Sequence, residues 1–223
     1  MQKKAVILFS GGLDSTTCIA LAQERGFECF ALSLDYGGRQ QVELTKAKQL
    51  TQQLGIAHKI IPVGLNLIGG SALTDNEIAV HDFKESQAIP NTYVPARNTV
   101  FLSIALGWAE VLGAYDIFIG ANILDYSGYP DCRPEYLEAF EKLADLATRA
   151  GMEGKHFKVH APLLKLNKAE IIREGIRLGI DYSQTMTCYR PDQDGKACGN
   201  CDSCTFRKKG FEEAGIQDPT HYF

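Results

Sequence analysis

The sequence predicts an α/β fold built on a doubly wound, mostly parallel sheet. Short apolar runs without alternation recur along the first 180 residues, as expected of strands that are buried on both faces. Segments with helical periodicity lie between them, and several of these segments end at a glycine. This β-α-β-α order implies parallel strands joined by helical crossovers.

Each element is predicted from one of these two signals. The strands are expected at residues 6–9, 29–34, 58–63, 117–120 and 157–160. The helices are expected at residues 15–25, 42–54, 99–112, 136–150 and 168–178. Residues 64–96 lack periodicity, and a connection of that length is expected to be a functional loop or lid. The chain after Asp181 is polar and turn-rich, too poor in apolar residues to fold through burial alone.

Composition narrows the class of protein and of partner. The chain has 223 residues, of which 45% are hydrophobic and 22% are charged, as in ordinary globular proteins. Its 23 basic and 27 acidic residues give a net charge of −4, which disfavours a nucleic-acid partner. No apolar run approaches the roughly 18 residues of a membrane span. The cysteine count of seven is odd, which favours reduced thiols and a cytoplasmic location.

A phosphate site is predicted directly after the first strand, at Ser10-Gly11-Gly12-Leu13-Asp14-Ser15. Where a loop enters a helix, unpaired backbone N–H groups and the helix dipole favour an anion. Glycines allow close approach of the backbone, and the Ser10, Ser15 and Thr16 hydroxyls add donors. The string is neither Walker A nor G-x-G-x-x-G. An ordinary glycine-rich turn capped by serine is the alternative.

A second anion-binding element is predicted at Leu166-Asn167-Lys168-Ala169-Glu170. Asn167 is placed as an N-cap and Lys168 in the first helical turn. A lysine there opposes the helix dipole, so it is expected to serve an anion rather than stability. A solvated surface lysine is the alternative.

Four cysteines predict a structural metal site. Cys188, Cys198, Cys201 and Cys204 follow the pattern C-x9-C-x2-C-x2-C, in which short spacings let thiolates converge on one ion. Four sulfur ligands would close the coordination shell. Zinc is favoured because the ligands lie in a compact tail. An iron–sulfur cluster and free buried thiols remain the alternatives.

Loops after the predicted strands supply candidate substrate ligands, because such loops line the ligand crevice of an open α/β sheet. Arg97 and Asn98 precede a helix. The other candidates follow the fourth strand: Asn122, Asp125, Tyr126, Ser127, Tyr129, Asp131 and Arg133. Tyrosine can stack on a heterocycle, Asp and Asn can pair with its edge, and Arg can bind a carboxylate. Cys132, in the same loop, has no assigned role, whereas Cys18 and Cys29 are expected to pack in the core.

Together these strings identify a resemblance. S-G-G-x-D-S and L-x-K-x-E resemble the PP-loop ATP pyrophosphatases. With D-Y-G-x-R, Y-V-P-A-R-N-T-V-F-L-S, D-Y-S-G-Y-P-D-C-R and C-G-N-C-D-S-C, the chain is similar to the 7-cyano-7-deazaguanine synthase family of queuosine-precursor biosynthesis, from Lys4 to about Arg207. One departure is visible: Gly38 and Gln40 flank Arg39 where the family usually has Gln and His, so neither is assigned a role.

The resemblance implies a site and a set of cofactors. It implies catalytic roles for Asp14, Arg97 and Lys168, with Asp14 helping to hold Mg²⁺. ATP would bind Phe9, Ser10, Gly11, Gly12, Leu13, Asp14, Ser15, Thr16, Thr17, Cys18 and Ile19. Residues 1–180 would be the ATP-binding domain, and residues 181–223 a zinc-binding tail packed on it.

The implied reaction converts 7-carboxy-7-deazaguanine and free ammonia to 7-cyano-7-deazaguanine. It proceeds through an adenylated acid, an amide and an adenylated amide, in a homodimer. The alternative from the same superfamily is a tRNA-modifying enzyme of the thiolation or lysidine type, which would want a basic face. Arg207-Lys208-Lys209 is the only basic run in the tail and is expected to be a solvated helix face. A non-catalytic nucleotide-binding or zinc-scaffold protein is the remaining alternative.

Overall fold

The structure, a computed structural model, describes residues 2–37, 41–85, 89–124 and 129–223. In these residues five parallel strands form one sheet in the order β3-β2-β1-β4-β5. The strands are β1 (Lys4–Leu8), β2 (Glu28–Asp35), β3 (Ala57–Pro62), β4 (Asp116–Phe118) and β5 (Lys158–His160). All five predicted strands and their parallel arrangement are confirmed.

Seven helices surround this sheet within the described ranges. They are α1 (Leu13–Glu24), α2 (Gln41–Gln53), α3 (Arg97–Leu112), α4 (Pro134–Ala147), α5 (Arg149–Met152), α6 (Lys168–Arg177) and α7 (Asp202–Ala214). Short 3-10 turns lie at Leu65–Leu67, Pro130–Cys132 and Tyr182–Gln184. None of the helices in this part of the chain combines the length and the hydropathy needed to cross a bilayer.

The first strand shows how the sheet is buried. Ala5 and Ile7 pack with side chains of α1, α2 and α6, whereas Val6 and Leu8 pack with those of α3 and α4. Val6 and Ile7 are fully buried, and each contributes about 1.5–3 kcal/mol through burial. Helices on both faces explain the continuous apolar run, because Ala5, Val6, Ile7 and Leu8 are all buried.

Two helix predictions require correction. The predicted helix over residues 136–150 is interrupted at Thr148, whose hydroxyl accepts a hydrogen bond from the Gly151 N–H (3.0 Å) and caps α5. The cap satisfies an N–H donor that the start of a new helix leaves unpaired, so the chain can bend there.

The prediction that Arg207-Lys208-Lys209 forms a solvated face is wrong for its first residue. Arg207 is only 2% exposed and donates from Nε to Asp218 (3.1 Å), from Nη1 to Thr185 (2.9 Å) and from Nη2 to the Tyr182 carbonyl (3.0 Å). A buried guanidinium needs such partners to replace its lost hydration. The tail also buries Tyr182 and Phe211 in the core beside α6, so it is less dependent on the cysteines than its composition suggested.

The segment over residues 64–96 packs against the tail. Its side chains Leu65, Leu73 and Val80 join Met186 and the cysteines in a third apolar cluster. The Phe83 N–H also donates to the Asn200 carbonyl (2.8 Å). The described part of this connection therefore packs along the cysteine tail, and this packing accounts for the length of the connection.

Candidate active site

The phosphate loop is shaped by Gly11. This residue has a φ of +82°, and a Cβ there would lie 2.7 Å from the Ala47 amide nitrogen and 2.9 Å from the Glu43 carbonyl oxygen of α2. Only glycine fits such a close approach in a left-handed conformation. On the other side, the Gly11 carbonyl accepts a hydrogen bond from the Met186 N–H of the tail (3.1 Å). The loop is thus held between α2 and the tail.

The hydroxyls of the loop mainly hold its own backbone. Ser15 Oγ accepts from the Ser10 N–H (3.2 Å), and Ser10 Oγ accepts from the Gly12 N–H (3.2 Å). Thr16 Oγ1 donates to the Gly12 carbonyl (2.8 Å). Thr17 Oγ1 contacts Tyr182 Oη at 2.7 Å. These bonds fix the turn into α1, whose first N–H groups have no partner within the helix and border the cleft.

Asp14 and Lys168 form an ion pair beside this loop. Lys168 Nζ lies 2.8 Å from Asp14 Oδ1 and 2.9 Å from Asp14 Oδ2, and the two side chains are 10% and 26% exposed. Lys168 is the first residue of α6, after a capping box in which Asn167 and Glu170 bond each other's backbone N–H (2.9 and 2.8 Å). The predicted N-cap at Asn167 is confirmed. One carboxylate and one ammonium at a phosphate loop can together hold Mg²⁺ and phosphate oxygens.

A cleft of about 230 Å³ opens at the carboxyl ends of β1, β2 and β4. It brings together ten of the predicted ligands. These are Phe9, Ser10, Gly12, Leu13, Asp14, Ser15, Arg97, Asn98, Asn122 and Tyr129. Gly11, Thr16, Thr17, Cys18 and Ile19 are not among its lining residues, and the last four are buried within α1.

Several of the predicted ligands form hydrogen bonds that hold the protein's own backbone. Asn122 Nδ2 donates to the Leu163 carbonyl (3.0 Å) and its Oδ1 accepts from the Leu124 N–H (2.8 Å), which joins β4 to the segment before α6. Asp131 Oδ2 accepts from the Asn98 N–H (3.0 Å) and so satisfies a donor at the start of α3. Arg133 is exposed, donates to the Pro130 carbonyl (3.1 Å) and is not among the lining residues. Asp125, Tyr126 and Ser127 lie outside the described residues, as do Gly38, Arg39 and Gln40.

Three residues to which the sequence assigned no role lie beside Arg97 in the cleft. Tyr36, Glu43 and Tyr189 line the cleft with it. Burial raises the pKa of Glu43 to about 8, although Arg97 opposes the shift. Burial likewise raises the pKa of Tyr36 to about 12. Tyr36 follows β2 directly and could have been found from that position, whereas Glu43 reads as an ordinary acid in a first helical turn.

Cys132, which the sequence left unassigned, lies in the wall of the same cleft. It is 5% exposed, and Asn98 Nδ2 donates to its Sγ (3.4 Å). Burial raises its thiol pKa to about 11, so the group is neutral near pH 7. Cys132 packs in the core with α3 and α4, while Cys18 and Cys29 pack on the opposite face, as expected for those two.

The four tail cysteines converge on one point. Their Sγ atoms all lie within 4.8 Å of one another, and Cys198 and Cys204 are 3.9 Å apart at sulfur. A tetrahedral zinc with bonds of about 2.3 Å requires sulfur separations of about 3.8 Å. Backbone N–H groups point at the sulfurs, from Cys198 to Cys188 (3.2 Å) and from Cys201 to Cys198 (3.3 Å). The donor set therefore fits a single four-coordinate metal ion.

Known proteins resemble this chain in sequence along almost its whole length. The family described as queuosine biosynthesis protein QueC matches residues 4–215. A 7-cyano-7-deazaguanine synthase of Stutzerimonas stutzeri is 60% identical over 223 residues, covering 100% of this chain and 99% of the relative. One of Methylococcus capsulatus is 62% identical over 222 residues, covering 99% of each.

Solved structures confirm the fold class. The U34-tRNA thiolase NcsA of Methanococcus maripaludis, with its [4Fe-4S] cluster, has a TM-score of 0.51 at 17% identity over 95% of this chain and 65% of its own. A 4-thiouridine synthetase, in complex with RNA and ATP, has a TM-score of 0.52 at 20% identity over 96% of this chain and 50% of its own. At such identities these two likenesses bear on the fold alone. The profile match and the full-length identity show the family: the chain belongs to the QueC family of 7-cyano-7-deazaguanine synthases in queuosine biosynthesis.

Proposed function

We propose that this chain is an ATP-dependent carbon–nitrogen ligase that converts 7-carboxy-7-deazaguanine and ammonia to 7-cyano-7-deazaguanine. The observation that carries the proposal is the cleft itself, where a phosphate loop with Asp14 opens onto Arg97, and where Asp14 is paired with Lys168, in a chain of this family. Two ATP molecules are consumed, each cleaved to AMP and pyrophosphate.

In the first stage a carboxylate oxygen of the substrate attacks the α-phosphorus of ATP and pyrophosphate leaves. Ammonia then attacks the acyl carbon, AMP leaves with one carboxylate oxygen, and a proton is lost to give the amide. In the second stage the amide oxygen attacks the α-phosphorus of a second ATP and pyrophosphate leaves. The nitrogen loses its two protons as AMP departs with that oxygen, which leaves the nitrile.

The chain's own groups serve this chemistry by binding and by charge. The loop N–H groups and Lys168 would bind the pyrophosphate that leaves, and Arg97 would hold the substrate carboxylate in line. Asp14 would hold Mg²⁺, which when bound offsets the negative charge of the phosphates. Its present partner is the Lys168 ammonium, so binding would exchange one ion pair for contacts of both groups with Mg²⁺ and phosphate.

The substrate base would lie among Asn98, Tyr129 and the missed residues Tyr36 and Tyr189, which line the cleft beside Arg97. Asp125, Tyr126, Ser127, Asp131 and Arg133 stay in the predicted substrate set, although neither Asp131 nor Arg133 is among the lining residues of the cleft. Aromatic rings offer stacking surfaces to a flat heterocycle, and amides can pair with its edge.

The four tail cysteines would hold one structural Zn²⁺. Closely spaced sulfurs suit a single ion, whereas an iron–sulfur cluster would push the same ligands apart. Metal analysis of purified protein should give one zinc per chain. Brown protein with visible absorbance after anaerobic purification would contradict zinc.

We further infer a cytoplasmic homodimer that takes ammonia from solution. None of the seven cysteines, all of which lie in the described residues, is in a disulfide, as expected of a reducing compartment. Light scattering should give twice the chain mass, and ammonium chloride should support turnover without glutamine. A monomer, or a requirement for glutamine, would contradict these two inferences separately.

The reaction is tested by incubating the metal-loaded protein with Mg-ATP, ammonium and 7-carboxy-7-deazaguanine. Mass spectrometry should show the amide first and the nitrile later, with AMP and pyrophosphate. Folded, metal-loaded protein that forms neither product would contradict the proposal. Thiolation of tRNA by the same protein would favour the tRNA-modifying alternative.

A further inference from the structure

Gly210 is an interior residue of α7 that faces α6. It is buried, and a Cβ there would lie 2.7 Å from Lys168 Cβ, closer still to Lys168 Cγ, and 3.0 Å from Ile172 Cδ1. Separations below 3.0 Å do not occur between packed carbon atoms, so the lysine stem occupies the space that any side chain at position 210 would need. The backbone of α7 is thereby the surface on which the Lys168 stem lies.

A glycine at this place has an energetic cost that needs a reason. Glycine in a helix interior is less favourable than alanine by about 1 kcal/mol. Gly107, in the interior of α3, offers a contrast: it is exposed, and a Cβ there would meet nothing within 4 Å. Alanine would improve helix propensity at both positions, but only at Gly210 would it displace another side chain.

The side chain displaced is the one that reaches the phosphate loop. Lys168 Nζ contacts both carboxylate oxygens of Asp14, at 2.8 and 2.9 Å, although the lysine begins on the first residue of α6. Its stem lies against α7 at Gly210, and its ammonium ends at Asp14 of the loop. A shift of the stem by a methyl radius would move the ammonium by a comparable distance.

We propose that Gly210 is a positioning residue for the ATP-dependent reaction. The absence of a side chain at this position lets the Lys168 stem lie against α7 and places its ammonium at the phosphate loop. The inference rests on the proposed function in one respect only, namely that Lys168 binds the phosphates of ATP. It gives the cysteine-bearing tail a part in nucleotide binding, because α7 carries both Gly210 and Cys204.

The test compares Gly210→Ala with Gly107→Ala. Because a misplacement of about 1 Å can cost about 100-fold in rate, we expect kcat/KM for Mg-ATP to fall about 100-fold in Gly210→Ala. Gly107→Ala should match the unaltered protein. Direct titration with ATP by calorimetry, without any deazapurine, should show weaker binding in Gly210→Ala alone. This readout separates failure of the inference from failure of the proposed substrate.

A double-mutant cycle distinguishes positioning from general stability. In a Lys168→Ala background no ammonium remains to be misplaced, so Gly210→Ala should leave the ATP dissociation constant unchanged from that of Lys168→Ala. An equal loss of ATP affinity in both backgrounds would overturn the proposal, since Gly210 would then act through the fold. Unchanged affinity and kcat/KM in the single variant would overturn it as well.

A second variant covers the case in which Gly210→Ala does not fold. Adding Ile172→Val removes the Cδ1 atom on one side of the new methyl and leaves the Lys168 stem as its obstruction. We expect the double variant to unfold at a temperature near that of the unaltered protein and to retain the loss of ATP affinity. Failure of this variant to fold would count against the proposal, because Gly210 would then be needed for packing in general.

Discussion

The phosphate loop and the cysteine tail meet at one cleft, but they are held there by different forces. The loop follows a strand whose apolar side chains are buried on both faces of the sheet, and Gly11 is packed onto the backbone of α2. The tail also buries apolar side chains, among them Tyr182 and Phe211, but it adds buried polar and sulfur contacts centred on Arg207 and four cysteines. A site can therefore combine a half built by hydrophobic burial with a half in which a few specific polar and sulfur groups add to that burial.

The largest expected effect is a loss of activity at the phosphate loop with only a small loss of stability. Asp14→Asn should lower the rate of pyrophosphate release by about 100- to 1,000-fold, because it removes the charge proposed to hold Mg²⁺ and to pair with Lys168. The melting temperature should fall by only a few degrees, since the strand and α1 remain buried. Glu24→Gln, an exposed acid on the same helix, is the control and should retain full activity. Full pyrophosphate release by Asp14→Asn would refute the loop assignment.

The second effect is expected in the tail, where loss of one cysteine should lower the metal content and the melting temperature. Cys201→Ser removes one of four converging sulfurs, so zinc content should fall below one equivalent and the melting temperature should drop by about 10 °C or more. Cys29→Ala, a buried thiol far from the cluster in sequence, should keep its metal. Elemental analysis and thermal unfolding measure both. A variant with full zinc and an unchanged melting temperature would contradict the tail's dependence on these ligands.

A smaller loss is expected at Arg207. Arg207→Met removes the cationic partner of the partly buried Asp218 and one donor to each of two buried oxygens, which should cost about 3 kcal/mol of unfolding free energy in urea titration. Lys209→Met removes an exposed cation 3.8 Å from Glu213 and should change this free energy by less than about 1 kcal/mol. Equal effects of the two substitutions would mean that Arg207 does not anchor the tail.

The smallest effect concerns the sheet beneath the loop. Ser33 Oγ donates to the Phe9 carbonyl (2.6 Å) and contacts His58 Nε2 (2.7 Å), and burial lowers the His58 pKa below its ordinary value of 6.5. The unfolded chain thus binds more protons, so His58 should favour unfolding as pH falls through and below 6.5. His58→Gln should flatten this part of the stability–pH curve, and His81→Asn, an exposed histidine, should not. Identical curves for all three proteins would exclude the His58 contribution.

The sequence predicted the phosphate loop and the strand before it better than it predicted how the cysteine tail is held. Continuous apolar runs and glycine stops specify buried parallel strands and their helices, and the S-G-G-x-D-S string follows the first strand directly. Burial of Arg207 could not be predicted, because its neighbours in the chain are exposed lysines and its partner Asp218 is reached only through folding. Glu43 and Gly210 were missed for the same reason, since their importance depends on side chains from other elements.

Both stages of the proposed reaction pass through an adenylate at this cleft. The most direct measurement follows the carboxylate oxygens of heavy-oxygen-labelled 7-carboxy-7-deazaguanine during turnover with Mg-ATP and ammonium. Each of the two AMP molecules released per nitrile should carry one labelled oxygen. Label appearing in pyrophosphate or water, with unlabelled AMP, would contradict the account.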